Sequence, residues 1–388
     1  MMRWFLFLCP LVLCCACKAQ KSLRTGAERM EVLLPLVQGK NLALVVNHTA
    51  VVGKTHLVDT LLGAGVSIKR IFAPEHGFRG TAEAGATIQD GRDTRTGLPI
   101  ASLYGQKKKP SLADLEGVDL VVFDIQDAGA RFYTYISTLH YVMEACAEAG
   151  KPILVLDRPN PNGHYVDGPV LDMAYQSFVG IAPVAMVHGC TMAELAAMFK
   201  GEHWIKQSDA LVLSHVLCEY YTHQTPYSPP IPPSPNLPNT LSILLYPSIC
   251  LFEGTTASLG RGTNAPFQQV GHPAYPDRTF SFTPHSMPAA LQPPQQDKTC
   301  YGKDLRRCNL DSLRQQGQLD LGLLLHFKQQ LPPSEPFLLE NHFLDKLAGT
   351  DQLRLQIISG ASEATIRASW EPKLSAYKAM RQRYLLYP

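Results

Sequence analysis

The sequence lacks the short motifs that mark several large enzyme classes. It contains no Walker loop, no G-x-S-x-G elbow and no H-E-x-x-H. The two glycines of "GAGVSI" follow a predicted helix and precede a predicted strand, which reverses the order of a dinucleotide-binding motif. The net charge is only +2 in 388 residues, so the composition gives no sign of a basic surface for nucleic acid. We therefore expect no nucleotide cofactor and no nucleic-acid partner.

Cysteine is scarce after the N-terminal segment, which holds four of the ten. The other six contain no C-x-x-C pair, which argues against a structural zinc site. Cys300 and Cys308 are the nearest candidates for a disulfide in an exported chain, whereas a buried free thiol is the favoured alternative for Cys146. A metal site would have to combine His48, His76 and Asp124, and we expect no metal.

Long apolar runs are absent except at the N-terminus. The segment "MMRWFLFLCPLVLCCAC" has one basic residue and then an apolar run that is short for a membrane span, as is typical of a signal peptide. It ends in Ala16-Cys17, as a bacterial lipoprotein signal does. We expect residues 1–17 to be a lipoprotein-type signal with Cys17 lipidated, and plain secretion is the alternative. The expected location is the periplasm, with membrane contact only through the lipid.

A regular alternation of strands and helices is present from residue 41 to about 205. Near-continuous apolar runs predict strands, and the segments between them have helical patterns; the strands cover 42–47, 67–73, 118–127 and 151–157, and the helices cover 55–65, 133–150 and 189–204. Such runs predict a parallel sheet that is covered on both faces. The sequence therefore predicts an α/β domain over residues 22–205.

The alternation ends beyond residue 206. Prolines crowd residues 227–239, and helical patterns return over 321–331 and 370–387. We predict a second, smaller α+β domain over residues 206–388. Because apolar sequence resumes directly after the prolines, we interpret the proline-rich run as an ordered loop at the domain junction rather than a flexible linker.

Polar side chains follow all four predicted strands of the first domain. Ligands of an open parallel sheet bind at the carboxyl ends of its strands, where these side chains should converge. The residues are Asn47 and His48 after the first strand, Glu75, His76 and Arg79 after the second, Asp124, Gln126, Asp127 and Arg131 after the third, and Asp157, Asn160 and Asn162 after the fourth.

Several of these residues have a structural alternative. Asp124 could cap the following helix or pair with Arg131, and Asp157 could pair with Arg158. Tyr133 suits helix packing as well as stacking on a sugar. Thr191 and Glu194 have the spacing of a helix capping box, which favours a structural role for this glutamate.

A glycine-rich stretch over residues 252–273 is the candidate site of the second domain. Glycines allow close backbone approach to a ligand, and Glu253, Arg261 and Asn264 lie among them. A tight structural meander is the alternative. These three residues are candidates for substrate binding.

Several long motifs together resemble one known family. The motifs are "PEHGFRG", "TGLPIASLYG", "VVFDIQDAGARFYTYI", "VLDRPNPNG", "PSPNLP" and "FEGTTASLGRGTNAPFQQVG". In this order they are similar to the exo-lytic β-N-acetylmuramidases, the NamZ family, also known as glycoside hydrolase family 171. The resemblance implies a Rossmann-like domain and a smaller C-terminal domain with the active site in the cleft between them. It also implies that no nucleotide is bound.

The resemblance further implies roles for individual residues. Glu75 is expected to be a catalytic acid with His76 nearby. Asp167 stands where the family carboxylate is expected, and Asp124 and Asp127 are the rivals. Thr256 departs from the asparagine expected there.

The lactyl carboxylate of muramic acid is the group that we expect an arginine to bind. A guanidinium can hold a carboxylate by two parallel hydrogen bonds, and Arg79 and Arg131 are the candidates. Their alternative is an ion pair with Asp124 or Asp127.

We predict an exo-acting glycoside hydrolase that removes terminal N-acetylmuramic acid from peptidoglycan fragments. Two other classes remain open from the sequence. One is a glycan-binding lipoprotein without activity, and the other is a metal-dependent amidase or esterase.

Overall fold

The structure, a computed structural model, describes residues 22–75, 77–78 and 90–388. Cys17, His76 and Arg79 and the predicted signal segment 1–17 lie outside the described residues. The strands of the described part are β1 (Asn41–Val46), β2 (Val51–Val52), β3 (Thr55–His56), β4 (Ser67–Ala73), β5 (Gly91–Arg92), β6 (Pro99–Ser102), β7 (Leu120–Asp124), β8 (Ile153–Leu156), β9 (Asp167–Val170), β10 (Ala185–Val187), β11 (Leu213–Val216), β12 (Gln269–His272), β13 (Ser281–Phe282) and β14 (Cys300–Asp304).

The α-helices are distributed over both halves of the chain. They are α1 (Met30–Val37), α2 (Leu57–Gly63), α3 (Tyr135–Glu148), α4 (Met192–Gly201), α5 (Thr240–Ile249), α6 (Leu310–Gln316), α7 (Gly322–Gln330), α8 (Phe343–Ala348), α9 (Gln352–Ile358) and α10 (Glu363–Arg381). Within the described ranges, none of these helices has both the length and the apolar character needed to cross a membrane.

The central element is a sheet with the order β11-β8-β7-β1-β4-β6-β5. All neighbouring strands are parallel except β5, which runs antiparallel at the edge. From β1 the chain first builds outward through β4 and β6, and then returns to the other side of β1 to add β7, β8 and β11. This is the doubly wound order of a Rossmann fold, which confirms the predicted fold class. In such folds the ligand crevice lies where the strand order reverses.

The apolar runs of the sequence become strands that are buried on both faces. In β1, Ala43 and Val45 belong to one hydrophobic cluster, while Leu42, Leu44 and Val46 belong to a second cluster on the opposite face. Successive side chains of a strand point to opposite sides of the sheet, so a doubly covered strand needs apolar residues at every position. This burial explains why the strands have no alternating polar pattern.

The sheet extends beyond the predicted boundary at residue 205. The edge strand β11 begins at Leu213 and pairs in parallel with β8. The sequence of β11, LSHV, has only four residues and two of them are polar, so it lacks the apolar run that predicts the other parallel strands. Between β11 and α5, the proline-rich run is ordered, as predicted; Pro232 and Pro233 use their carbonyl groups to contact His48 and Tyr135.

The C-terminal half consists of the antiparallel sheet β12-β14-β13 and helices α5 to α10. It shares one hydrophobic cluster with the first half, which includes Val121 and Ile136 as well as Leu324 and Trp370. Helix α10 packs on β9. The smaller second unit is therefore joined to the large sheet through a continuous apolar core.

Two local predictions of the sequence concern α4 and the cysteines. The Thr191 side chain accepts a hydrogen bond from the Glu194 amide while the Glu194 carboxylate accepts one from the Thr191 amide, which confirms the capping box. Cys300 and Cys308 are free thiols, so the suggested disulfide is not formed. Cys146 is a buried free thiol, as favoured.

Candidate active site

A cavity of about 560 Å³ opens at the carboxyl edge of the sheet. Its wall combines acids, cations, hydroxyl and amide groups, and aromatic rings. The polar members are Glu75, Tyr104, Lys108, Thr134, Ser234, Asn236, Glu253 and Arg261, and the aromatic members include Phe132, Tyr133, Tyr135, Phe178, Tyr246, Phe267 and Phe343. Both halves of the chain contribute to this wall, as expected for a site in the cleft between them. Aromatic faces with a few oriented polar groups are typical of sugar and small-molecule sites.

Glu75 lies in this wall because β4 ends at Ala73 and the chain turns at Pro74. The hydroxyl of Thr134, just before α3, donates a 2.6 Å hydrogen bond to Glu75 Oε2. Burial, together with the nearby negative charge of Glu75, raises the pKa of the Tyr104 phenol. A half-buried carboxylate that accepts a short hydrogen bond from a neighbouring hydroxyl group has a defined orientation, which a proton-transfer group requires.

Asn47 supports the cavity wall from behind. Its side chain is fully buried, donates to the Tyr135 hydroxyl at 2.9 Å, and accepts hydrogen bonds from both the amide and the hydroxyl of Thr49. The Tyr135 hydroxyl in turn contacts the carbonyl groups of Glu75 and Pro233. Asn47 is thus placed near the site, where it positions Tyr135, and is not part of the cavity lining.

Asp124 is occupied by an ion pair inside the protein. Its carboxylate receives the Arg158 Nε at 2.5 Å and the Arg158 Nη2 at 2.9 Å, and both side chains are almost fully buried. The two ion pairs that the sequence suggested, Asp124 with Arg131 and Asp157 with Arg158, are therefore not formed. Asp124 pairs with Arg158 instead. Neither member of the pair lines the cavity.

Asp127 is also buried, close behind the aromatic wall. Its Oδ2 accepts the Gly129 amide at 2.7 Å and lies 3.4 Å from His188 Nε2. The charge of Asp127 is among the influences that raise the pKa of Tyr133, after burial and the neighbouring phenols. Asp127 is near the site without lining it, whereas Tyr133 is part of the lining.

Arg131 lies in the interior instead of at the substrate surface that the sequence suggested. Its guanidinium donates to the carbonyl groups of Pro169 and Val184 at 2.8 Å and of Leu347 at 3.0 Å. Burial lowers the pKa of Arg131 to about 9. Because these donors are used to join the two halves of the chain, Arg131 is not placed to bind a substrate carboxylate.

Asp157 and Asn160 are likewise used for internal contacts. Asp157 accepts the Ala193 amide at 3.0 Å and the Tyr387 hydroxyl at 2.6 Å. Asn160 donates to the Cys190 carbonyl at 2.8 Å and accepts the Asn162 amide. Both residues are buried and absent from the cavity lining, so the structure places them as supports of the loops after β8.

Asp167 lies in β9, away from the lining of the cavity. Its carboxylate accepts the amides of Gly168 and Leu319 and forms a 3.0 Å ion pair with Arg367. A carboxylate that satisfies backbone donors from two halves of the chain has a clear structural use. The geometry brings Asp167 to α10 rather than to Glu75.

The glycine-rich loop places two of its three candidates in the cavity. Arg261 donates from Nε and Nη2 to Glu253 Oε1 at 2.9 and 2.6 Å, and both residues line the wall. Among the described residues, Glu253 is thus the second carboxylate of the lining, besides Glu75. Asn264 is exposed and lies outside this set.

Several lining residues are not among the candidates that the sequence predicts, although they lie in or beside the long motifs. Tyr104 belongs to "TGLPIASLYG", Thr134 precedes the α3 helix, and Ser234 and Asn236 belong to "PSPNLP". No periodicity marks such loop residues. The usable signal was their position inside long motifs that also contain the strand-end residues.

No cluster of three or more histidine, cysteine, aspartate or glutamate side chains in the described parts of the chain is arranged to hold a metal ion. Of the three residues considered for such a site, His48 Nε2 lies 2.8 Å from the Pro232 carbonyl, and Asp124 is held by Arg158. His76 is outside the described residues.

Comparisons with known proteins relate most of the chain, from residue 42 to residue 387, to a single family. The N-terminal profile of exo-β-N-acetylmuramidase NamZ matches residues 42–241, and its C-terminal profile matches residues 244–387. The peptidoglycan β-N-acetylmuramidase NamZ of Bacillus subtilis (strain 168) is 36% identical over 371 aligned residues, which cover 90% of this chain and 88% of that protein.

Two crystal structures of DUF1343 family proteins from Bacteroides fragilis NCTC 9343 have the same fold. The first has a TM-score of 0.87 and 45% identity, and the comparison covers 95% of this chain and 99% of the other. The second has a TM-score of 0.82 and 25% identity, with 94% and 99% covered. The two-part architecture is therefore present along almost the full length of these relatives.

Proposed function

The chain belongs to the exo-β-N-acetylmuramidase NamZ family, and we propose that it is a glycosidase that releases terminal N-acetylmuramic acid from the non-reducing end of peptidoglycan fragments. The observation that carries the proposal is the Glu75 carboxylate, which the Thr134 hydroxyl group holds in the wall of an aromatic cavity. This arrangement supplies both a proton donor and a surface on which a sugar ring can stack.

Glycoside hydrolysis proceeds through an oxocarbenium-like transition state and needs a proton at the leaving oxygen. In the proposed reaction, Glu75 gives its proton to the glycosidic oxygen as the bond from this oxygen to the anomeric carbon breaks. A water molecule supplies the hydroxyl group of the released muramic acid, and its second proton restores Glu75. Thr134 acts as a positioning residue because its hydroxyl group fixes the carboxylate.

The deciding experiment compares wild type with Glu75→Gln on a synthetic disaccharide of N-acetylmuramic acid and N-acetylglucosamine. The amide keeps the shape of the side chain but cannot donate the catalytic proton, so we expect turnover to fall by about 10²-fold or more. Affinity for the disaccharide should stay within about tenfold, roughly 1.4 kcal/mol. A variant that turns over at nearly the wild-type rate would remove Glu75 from the mechanism.

The same assay separates the other two classes. Release of free muramic acid that is insensitive to a chelator supports the glycosidase. Binding of the disaccharide without turnover by the wild-type protein supports a glycan-binding protein, and turnover that a chelator abolishes supports a metal-dependent hydrolase.

We also propose that the protein is exported to the periplasm and anchored by a lipid on Cys17. The support is the basic and apolar segment that ends in Ala16-Cys17. Expression of the full chain in a bacterial host, as wild type and as Cys17→Ser, tests this. We expect wild type in the membrane fraction and the variant released from it or unprocessed; the same fractionation and mass for both proteins would contradict lipidation.

A further inference from the structure

Two cationic side chains of the described residues line the cavity that contains Glu75, and they are held very differently. Lys108 is exposed, with its Nζ 5.0 Å from the centre of the Phe178 ring. Arg261 is only 20% exposed and is fixed by specific contacts on two sides. A fixed, partly desolvated cation can select a ligand by geometry, whereas an exposed lysine acts mainly as a point charge.

The contacts of Arg261 leave one edge of its guanidinium for a ligand. Its Nε and Nη2 both donate to Glu253 Oε1, at 2.9 and 2.6 Å, and its central carbon lies 5.0 Å from the centre of the Phe267 ring. An arginine has five N–H donors. The bonds to Glu253 use the Nε side of the fork, so the two terminal nitrogens, Nη1 and Nη2, can still present a pair of parallel N–H groups.

Glu253 keeps this guanidinium charged and oriented. Burial by itself lowers the pKa of Arg261, but the attraction of Glu253 outweighs burial and the pKa is raised. The second oxygen of Glu253 faces the Cys250 thiol at 3.7 Å, so the carboxylate is also held from behind. The pair therefore forms a rigid unit in the cavity wall.

The pair is also accessible from a second side. Glu253 and Arg261 line an adjoining groove of about 510 Å³, whose other wall is the segment from Ala289 to Pro294. The Asn236 side chain, which lines the main cavity, donates to the Ala289 carbonyl at 2.9 Å and ties this segment to the site. The guanidinium is thus a shared boundary of two open spaces and not a sealed internal contact.

We propose that Arg261 is the residue that distinguishes muramic acid from N-acetylglucosamine, by binding the lactyl carboxylate with its terminal nitrogens. The inference rests on the proposed function, because it assigns a part of that substrate to the same cavity. The two sugars differ by the lactyl ether, whose carboxylate is its charged group. A planar guanidinium matches a carboxylate by two parallel hydrogen bonds, which a lysine cannot reproduce. Glu253 and Phe267 are then positioning residues.

The test measures equilibrium binding of three ligands, namely N-acetylmuramic acid, its uncharged methylamide and N-acetylglucosamine. Wild type should prefer the acid over the methylamide. In Arg261→Lys, the affinity for the acid should fall by about tenfold or more, in line with the loss of a partly desolvated charged contact, and the preference should largely disappear. The ratio of the two affinities isolates the carboxylate, which a general loss of structure would not do.

Arg278→Lys is the matched control. Arg278 also stacks on an aromatic ring, with its central carbon 3.9 Å from the centre of the Tyr301 ring, but it is exposed and outside the cavity lining. This variant should keep the wild-type preference. If Arg261→Lys does not fold, Arg261→Gln serves instead, because the glutamine amide still provides an N–H donor for Glu253.

The proposal is overturned if folded Arg261→Lys and Arg261→Gln both retain the wild-type ratio for acid over methylamide. It is also overturned if Lys108→Met alone removes the preference for the acid over the methylamide, because Lys108 is then the residue that binds the carboxylate. Turnover of the disaccharide separates this inference from the proposed function. If wild type does not turn over the disaccharide but its preference for the acid depends on Arg261, the inference is supported and the glycosidase is rejected. If wild type turns over normally and the Arg261 variants keep the wild-type ratio of affinities, only the inference is rejected.

Discussion

At the scale of single residues, the polar groups that the structure describes at the strand ends divide into one cavity residue, Glu75, and several internal supports. Glu75 faces the cavity, whereas Asp124, Asp157 and Arg131 are buried and hydrogen-bonded within the protein. A buried charge is stable only when a partner or several dipoles compensate it. Charged residues at the same edge of the sheet therefore have two roles: Glu75 faces the ligand cavity, and the others stabilise the fold through internal contacts.

Asp124→Asn tests this division directly. The substitution leaves the Arg158 guanidinium buried without its counter-charge, so we expect the free energy of unfolding to fall by about 3–5 kcal/mol. The folded fraction should keep its turnover, because Asp124 does not line the cavity. Urea denaturation and the disaccharide assay provide the two measurements.

The pair of Asp304 and Arg306, which is much more exposed than the pair of Asp124 and Arg158, is the control for Asp124→Asn. Arg306 also donates two hydrogen bonds of 2.8 Å to the Asp304 carboxylate, but 52% of the arginine side chain is exposed to solvent. Asp304→Asn should cost less than about 1 kcal/mol. A loss of turnover by Asp124→Asn at unchanged stability would instead assign Asp124 to catalysis.

At the scale of elements, one buried carboxylate joins three parts of the chain. Asp157 follows β8, accepts the Ala193 amide at the start of α4, and accepts the hydroxyl of Tyr387 near the C-terminus. A carboxylate at a helix N-terminus is favourable, but complete burial disfavours its charge. Burial is the larger effect and raises the pKa of Asp157 to about 6 from the ordinary 3.8, although the hydrogen bonds act in the opposite direction.

This pKa gives a pH-dependent prediction for Asp157→Asn. Between pH 3.8 and about 6, the folded protein binds more protons at Asp157 than the unfolded chain does, so the wild type loses stability as the pH rises through this window. The total loss is about 3 kcal/mol, because one pKa unit corresponds to about 1.4 kcal/mol. Asparagine does not titrate and can retain both hydrogen bonds.

Urea denaturation of both proteins at pH 4 and pH 7 measures the effect. The stability of Asp157→Asn relative to wild type should be greater at pH 7 than at pH 4, by an amount approaching the total loss. If the two proteins change in parallel with pH, Asp157 does not titrate in this window and the assigned cause is wrong.

At the scale of the whole molecule, the two halves depend on each other for burial and for polar contacts. Arg131 of the first half donates to the Leu347 carbonyl, and Asp167 pairs with Arg367 of α10. One hydrophobic cluster runs through both halves. The cavity is built the same way, because Glu75 comes from the first half and Arg261 from the second.

We therefore predict that the fragment 22–205 does not fold cooperatively. It lacks β11 at the edge of the sheet and all the C-terminal partners of Arg131 and Asp167. Buried polar groups without partners, together with exposed core, should leave it aggregated or without a sharp transition in urea. The chain 22–388 is the control and should unfold in one transition. A cooperative transition of the fragment would show that the first half is an independent domain.

The sequence by itself determined the alternation of strands and helices, the capping of α4 and the edge of the sheet where the ligand site lies. These features depend on local patterns, because burial on both faces requires apolar runs and a parallel sheet brings its carboxyl ends together. Among the strand-end residues, the family resemblance singled out Glu75, but only the tertiary structure decided which of the other polar residues are buried beside a partner. Partners such as Asp124 and Arg158, or Arg131 and the Leu347 carbonyl, are distant in the chain. Their pairing depends on how whole elements pack, which no spacing along the sequence encodes.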